Sequence, residues 1–210
     1  AHYNGLIPRN PFIQFHISPN VKEREYLTED ELKAVMTHEF ADSKLAYIRD
    51  IFIFASFTAL SFVDIQELTN DNIVEVNGEK WILSKRHKTK VAFQVKLLDI
   101  PLQIVERYRP MQKDNRIFPG LNYWSICKPL KRMIRECGIT KSISFHCSRH
   151  GFATLALSKG MPIESVSRVL GHTNIVTTQL YAKITTQKLD NDLTMFGDKL
   201  SKTFNGITMS

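Results

Sequence analysis

Apolar residues recur at helical spacing along most of the chain, and the period changes to strand-like alternation in only one region. Thr28 begins the first predicted helix, because its hydroxyl can cap the backbone and Glu31 stands three residues on, as in a capping box. Further helices are predicted over residues 44–60, 122–137 and from 162 onward. Around residues 51–60 the second of these helices is apolar on nearly every side, which is typical of a helix at the centre of a fold.

A single antiparallel sheet is predicted between residues 73 and 98. Strands at 73–76 and 81–83 flank Asn77-Gly78, a pair that favours the positive φ angles of a type I′ turn. A basic turn then leads to a third strand at 92–98. Since three short strands are too small to form a core of their own, the predicted fold class is α+β, mainly α: a helical domain with a small three-stranded antiparallel sheet.

The two ends of the chain differ from this helical body. Residues 1–26 carry three prolines and show no sustained period, which predicts an extended linker or arm; residues 27–210 are expected to form one domain. The segment 186–210 contains an apolar stripe at i, i+4, i+7 and i+11, formed by Leu189, Leu193, Phe196 and Leu200. Such a stripe covers its own domain or docks onto another subunit.

Composition and charge narrow the function classes. Lys and Arg number 28 against 21 Asp and Glu, a net charge of +7 that favours a polyanionic partner. A hydrophobic fraction of 43% excludes a disordered chain. No apolar run reaches the roughly 20 residues of a membrane span. The three cysteines form no C-x-x-C pair, which argues against a disulfide framework or a zinc ribbon and favours the reducing cytoplasm.

Residues 144–181 hold the candidate chemistry. His146 and Arg149 are three apart and share one helix face. Leu170-Gly171-His172 ends the next helix, and Tyr181 follows nine residues after His172. A tyrosine hydroxyl, with an ordinary pKa of about 10, needs a base such as His146. Arg149 offers a planar fork to two phosphate oxygens, and His172 can hold a further oxygen.

In these residues the chain resembles the catalytic domain of the tyrosine recombinases, the phage-integrase family. That family carries H-x-x-R on a helix, L-G-H about twenty residues on, and a nucleophilic tyrosine about nine residues later. The resemblance covers nearly the whole chain from about residue 26 and implies DNA cleavage through a covalent 3′-phosphotyrosyl intermediate, with no cofactor. It also implies that Lys88, in the second turn of the sheet, protonates the leaving 5′ oxygen.

The resemblance has further implications for partners. The expected partner is double-stranded DNA. The protein is expected to bind it as a multimer, a tetramer on paired recombination sites, and to act together with accessory DNA-bending proteins. A separate N-terminal DNA-binding domain is expected before the arm at 1–26, and the segment after the tyrosine, 186–210, is expected to dock onto a neighbouring subunit. A site-specific recombinase or integrase of a mobile element, associated with the nucleoid, is therefore the function that we expect.

One position departs from the family's pattern. The family's first arginine lies in T-G-L-R-x-x-E-L, and this chain has Ser61 there, in Thr58-Ala59-Leu60-Ser61. Arg86 is the candidate substitute; Lys85 and Lys90 are weaker ones. If the second strand continued through the turn, Arg86 and Lys88 would lie on one face.

Other interpretations stay open at this point. The missing arginine suggests a DNA-binding protein whose catalysis has decayed, and the tyrosine chemistry alone also suits a type IB topoisomerase-like enzyme. His146 and His150 are four apart, but no third ligand has suitable spacing, so no metal site is predicted. The outer face of the helix at 122–137 is either a solvated face or a DNA-binding one, and its basic residues are Lys128, Lys131, Arg132 and Arg135.

Overall fold

The computed structural model describes residues 25–112, 114–182, 186–203 and 205, so nearly all of the predicted arm lies outside the described residues. The described part is mainly helical with one small sheet, as predicted. Its elements are α1 Glu29–Thr37, α2 Ser43–Thr58, α3 Phe62–Gln66, β1 Ile73–Val76, β2 Glu79–Lys85, β3 Ala92–Lys96, α4 Asp99–Tyr108, α5 Tyr123–Glu136, α6 His146–Ser158, α7 Ile163–Leu170, α8 Val176–Gln179 and α9 Thr186–Thr203, with single 3-10 turns at Asn70–Asn72 and Arg109–Met111. Among these helices, none combines the length and the hydropathy that a membrane span requires.

The helix α2 forms the centre of the main core, in agreement with the apolar run predicted around residues 51–60. It packs against α1, α4, α5 and α6. Its Phe54 ring lies edge-on to that of Phe118, with 4.9 Å between the ring centroids. The buried carboxylate of Asp50 accepts hydrogen bonds from the Tyr108 hydroxyl and from Arg107, both at 2.7 Å. Burial of nearly every side chain from residue 50 to residue 58 therefore explains why this part of the helix shows no polar face.

The helix boundaries follow local chemistry that the sequence makes visible. The predicted capping box is present at α1: Glu31 N–H donates to Thr28 Oγ1 at 3.2 Å, and Thr28 N–H donates to Glu31 Oε2 at 2.8 Å. The helix α7 ends at Gly171, whose φ of +64° is the left-handed conformation expected of a terminal glycine. The end of α7 matters for the site, because His172 directly follows Gly171.

The sheet has the order β1-β2-β3, with antiparallel pairing throughout. Asn77 and Gly78 both have positive φ, 53° and 77°, which confirms the tight turn predicted between β1 and β2. In β2, the fully buried Ile82 pairs with Ile73 on one side and with Val95 on the other. One face of the sheet therefore packs onto the helices.

A second, smaller core lies where α2, α6 and α7 approach one another. Its buried members are Ala59, Ala153, Leu157, Val166 and Leu170. Tyr181 and Ala182, which follow α8, pack against this small core and are half-buried. The small core therefore lies between the end of α2 and the helices α6 and α7, close to Arg149, His172 and Tyr181.

Candidate active site

Arg149 joins two of these helix ends. It lies one turn into α6 and donates from Nη1 to the carbonyl oxygen of Ala59 at 2.9 Å and from Nη2 to that of Leu170. Ala59 has a left-handed φ of 57°, which turns its carbonyl group off the end of α2. Burial, followed by the nearby Arg86 charge, lowers the pKa of Arg149 to about 10, against opposing effects of Tyr181 and Asp64. The guanidinium therefore remains charged at neutral pH.

His172 is held at the end of α7. Its Nδ1 lies 2.8 Å from the hydroxyl oxygen of Thr178, on α8. Burial, followed by the charges of Arg149 and Arg86, lowers the pKa of His172 to about 4. The imidazole is therefore neutral at pH 7 and can offer one N–H group to an anion without carrying a charge.

Tyr181 follows α8 and is fixed by its backbone, since its N–H donates to the carbonyl oxygen of Thr178 at 3.0 Å. Its ring centroid lies 5.2 Å from that of His150, whose ring lies 4.6 Å from that of His146. The phenol group is also close enough to Arg149 to raise the pKa of that guanidinium. The structure thus brings the predicted nucleophile, the two histidines of α6 and Arg149 together.

Ser61, at the position of the missing arginine, has a structural role. It is the N-cap of α3, a short helix that the sequence analysis did not identify. Its hydroxyl donates to Asp64 Oδ2 at 2.7 Å, and Asp64 N–H donates back to Ser61 Oγ at 3.3 Å. Ser61 therefore orients the carboxylate of Asp64, which is buried.

Arg86 lies beside that carboxylate. Its side chain is 6% exposed, and Nη1 donates to Asp64 Oδ2 at 2.7 Å, while Nη2 donates to the carbonyl oxygen of Val169 at 2.6 Å. The guanidinium lies 4.0 Å from the ring centroid of Phe93. A methyl group added at Gly171 would meet Arg86 Nε at 3.0 Å, so this glycine leaves room for the arginine. Arg86 Nε is buried and has no hydrogen-bond partner among the described residues.

The ion pair also sets the charges of the two groups. Burial by itself raises the pKa of Asp64, but hydrogen bonds from His87 N–H, Ser61 and Arg86 outweigh it and lower that pKa below its usual value. Burial lowers the pKa of Arg86, and Asp64 opposes that change. Both groups are therefore ionised at neutral pH, with Arg86 near Arg149 and His172.

The condition for Arg86 and Lys88 to share a strand face, a second strand that continues through the turn, is not met. The strand β2 ends at Lys85, and Arg86 is buried while Lys88 is exposed in the following turn. Within the described part of the chain, Lys88 makes no hydrogen bond or ion pair with the groups around Arg149. Lys85 and Lys90 are also exposed, so the structure brings only Arg86 of the four basic turn residues into the cluster.

The outer face of α5 is a basic stripe. The side chains of Lys128, Lys131, Arg132 and Arg135 are exposed and border a shallow surface concavity. Arg132 forms ion pairs with Asp42 at 3.3 Å and with Glu136 at 3.7 Å. The other three have no ion pair to any described residue, so their charges are available to an anionic partner.

Sequence reasoning missed two residues of interest here. Trp124, at the start of α5, is 84% exposed and precedes Lys128 by one helical turn, so it extends the basic stripe with an aromatic surface. Thr178, which holds His172, gave no signal beyond its place before Tyr181. Trp124 could have been identified from the sequence, because it stands four residues before Lys128 and therefore on the same helix face.

Comparison with known proteins agrees with this arrangement. A model of the phage integrase family matches residues 25–188. Tyrosine recombinase XerA of Pyrococcus horikoshii is 32% identical, over 78% of this chain and 58% of that protein. Tyrosine recombinase XerD of Listeria innocua is 26% identical, over 89% of this chain and 67% of that protein. The chain thus spans about three fifths to two thirds of the length of these relatives.

A solved structure gives the same result for the fold. The integrase of the Tn1549 transposon, in complex with a circular intermediate DNA, superposes with a TM-score of 0.76, covering 92% of this chain and 73% of that one at 17% identity. At such low identity the likeness concerns the fold of the domain. The family model, in contrast, covers well over half of the 210 residues and includes every residue of the cluster around Arg149. The chain therefore belongs to the phage integrase family, the tyrosine recombinases.

Proposed function

We propose that this chain is the catalytic part of a site-specific DNA recombinase of a mobile element, which cleaves and rejoins double-stranded DNA through Tyr181. The observation that carries this proposal is the convergence of Tyr181, Arg149, His172 and Arg86 around the small core. A phenol beside two guanidinium groups and a neutral imidazole suits attack on a phosphodiester, because the donors stabilise charge that builds on the phosphate oxygens.

In the proposed reaction, Tyr181 Oη attacks the phosphorus and the bond to the 5′ oxygen breaks, leaving a 3′-phosphotyrosyl ester. His146 accepts the phenolic proton, and Lys88 supplies a proton to the leaving oxygen. A 5′-hydroxyl of a partner strand then attacks the ester and releases the tyrosine. Since one phosphodiester replaces another by way of a phosphoester of similar energy, the exchange needs neither ATP nor a redox cofactor.

Arg86 takes the place of the missing family arginine in this proposal. Its influence on the pKa values of both Arg149 and His172 supports its closeness to the phosphate site. The buried Nε–H group has no described partner, which is costly unless a ligand oxygen accepts from it. Ser61 is thereby free to cap α3, and the positive charge comes from the β2–β3 turn instead.

The DNA is proposed to run along the basic stripe of α5 as well as over the active site. Lys128, Lys131 and Arg135 have free charges for phosphates, and Trp124 adds a surface for sugars or bases. Affinity is then largely electrostatic and falls steeply with salt. The N-terminal domain expected before the arm at 1–26 supplies much of the site specificity.

Assembly is proposed to use α9, within the segment 186–210. Its apolar stripe is exposed, with Leu193 and Phe196 leaving 59% and 57% of their surface to solvent. This exposure favours docking onto a neighbouring subunit over coverage of its own domain. The proposed assembly is a tetramer on paired sites, together with accessory DNA-bending proteins.

Deletion of residues 187–210 tests this role of α9. It should weaken cooperative binding to duplexes with paired sites and leave the thermal unfolding of the monomer unchanged; loss of folding would contradict the proposal.

A library of nicked duplexes tests the proposed activity without a known target. Each duplex carries a randomised segment upstream of the nick, so that cleavage releases a short fragment and traps the protein on DNA. The parent chain should give an SDS-resistant adduct whose DNA-linked peptide contains Tyr181, and Tyr181→Phe should give none. Retarded bands without adduct would instead indicate a DNA-binding protein with decayed catalysis. Relaxation of supercoils without any sequence preference would indicate a topoisomerase.

A further inference from the structure

Thr178 contacts both His172 and Tyr181. Thr178 is fully buried on α8, with Oγ1 2.8 Å from His172 Nδ1, while its carbonyl oxygen accepts the N–H of Tyr181 at 3.0 Å. A single residue therefore contacts the side chain of His172 and the backbone of Tyr181.

The direction of the hydrogen bond to His172 follows from what else the hydroxyl can reach. Buried threonines in helices commonly donate to the carbonyl four residues back, as Thr58 does to Phe54 at 2.7 Å. Within the described part of the chain, the Thr178 hydroxyl has no such acceptor, and His172 Nδ1 is its one hydrogen-bond partner. Because a buried O–H group without an acceptor is costly, Thr178 Oγ1 donates and Nδ1 accepts.

The proton on the imidazole is then assigned. A neutral ring carries one N–H group, and a ring whose Nδ1 accepts a hydrogen bond carries its proton on Nε2. The low pKa of His172, about 4, agrees with a neutral ring at pH 7. His172 Nε2 makes no hydrogen bond to any residue that the structure describes, so this N–H group is available to a bound anion.

We infer that Thr178 is a positioning residue, which fixes His172 as the Nε2–H tautomer and aims that N–H group at a nonbridging oxygen of the phosphate attacked by Tyr181. This role rests on the proposed function. Thr178 touches neither the substrate nor the reacting atoms, and it acts through His172. Because its carbonyl oxygen also accepts the N–H of Tyr181, Thr178 helps to set the position of both the proposed donor, His172, and the proposed nucleophile, Tyr181.

The tautomer itself is measurable on the parent chain, without DNA. A two-bond ¹H–¹⁵N spectrum at pH 7, with the His172 signals assigned by their loss in His172→Gln, should show a protonated Nε2 and an unprotonated Nδ1. A protonated Nδ1 would overturn the inference. This result does not depend on cleavage, so the tautomer can be correct even if no duplex gives an adduct and the proposed function fails.

A matched variant series tests the role in the reaction, on a duplex recovered from the nicked library. Thr178→Val keeps the shape and lacks the hydroxyl, Thr178→Ser keeps the hydroxyl, and Thr177→Val makes the same change at the exposed neighbouring position. Adduct formation should slow about tenfold or more in Thr178→Val and stay within about twofold of the parent in the other two. The amount of DNA bound should be equal in all four proteins.

Two results would contradict a positioning role. Equal adduct rates for Thr178→Val and the parent would show that the hydroxyl is dispensable. A rate loss shared by Thr178→Ser would show that shape, rather than the hydrogen bond, matters. If Thr178→Val does not fold, the spectrum of the parent chain and the rate of Thr178→Ser still decide the question.

Discussion

Arg86→Met removes one partner of an ion pair in which both side chains are almost fully buried, 6% and 3% exposed. The carboxylate of Asp64 keeps its hydrogen bonds from His87 N–H and Ser61, yet it loses the only described cation that contacts it. Breaking a buried pair in this way costs about 3 kcal/mol. For a domain of this size that cost lowers the midpoint of thermal unfolding by about 6–12 °C.

The loss of activity should be larger than the loss of stability explains. If Arg86 supplies a donor to the phosphate, its removal slows adduct formation by roughly 100- to 1000-fold. The double variant Asp64→Asn with Arg86→Met removes both charges, so no unpaired carboxylate remains and most of the lost stability should return. A catalytic role for Arg86 predicts that this double variant folds normally and still fails to cleave.

The assay measures adduct formation on a nicked duplex at a temperature where every variant is folded, beside thermal unfolding by circular dichroism. Arg107→Met serves as control, because Arg107 also pairs with a buried carboxylate, that of Asp50, at 2.7 Å. Asp50 keeps a hydrogen bond from Tyr108, and Arg107 is largely exposed, so the loss should be about 1 kcal/mol or less with no change in rate. Adduct formation at the parent rate by the double variant would refute the replacement of the family arginine by Arg86.

Three further predictions concern single features of the site. Gly171→Ala should lower the free energy of unfolding in urea by more than Gly160→Ala, since both have positive φ but only at Gly171 would the added methyl group meet a side chain, at 3.0 Å; equal losses would contradict this contact. The folded-state pKa of His172, about 4, lies below its ordinary value of 6.5, so the unfolded chain binds more protons between these values. Stability should therefore fall from pH 6.5 to pH 4 more steeply in the parent than in His172→Gln; parallel curves would contradict the shift. Replacing Lys128 and Lys131 together by Gln should reduce the slope of log K against log salt by about 2, and an unchanged slope would show that α5 does not contact phosphates.

The parts of the fold that local chemistry decides were predictable from the sequence. The capping box at Thr28, the tight turn at Asn77-Gly78 and the terminal glycine at 171 each depend on residues close in the chain. The centrality of α2 also followed, because a helix that is apolar on all sides has to be buried.

Long-range contacts of single side chains were not predictable in the same way. Arg86 was proposed from strand alternation, yet β2 ends at Lys85, and the side chain is instead drawn in by Asp64 and by the carbonyl oxygen of Val169. Thr178 is one of several threonines near Tyr181, and only its burial separates it from Thr177. The contacts of Arg86 depend on how segments distant in the chain pack, and the burial of Thr178 depends on what covers α8. No period along the chain encodes either feature.

The two hydrogen bonds from Arg149 to the ends of α2 and α7 have a consequence for how such a protein loses its activity over generations. A guanidinium that fastens two helices is retained by selection for folding even after selection for cleavage has ceased. Lys88 and His146 are exposed, so they are the first positions expected to drift in an inactive descendant. Across related members of the family, the identity of these two exposed residues should therefore separate chains that still cleave DNA from chains that do not, and should do so better than Arg149 does.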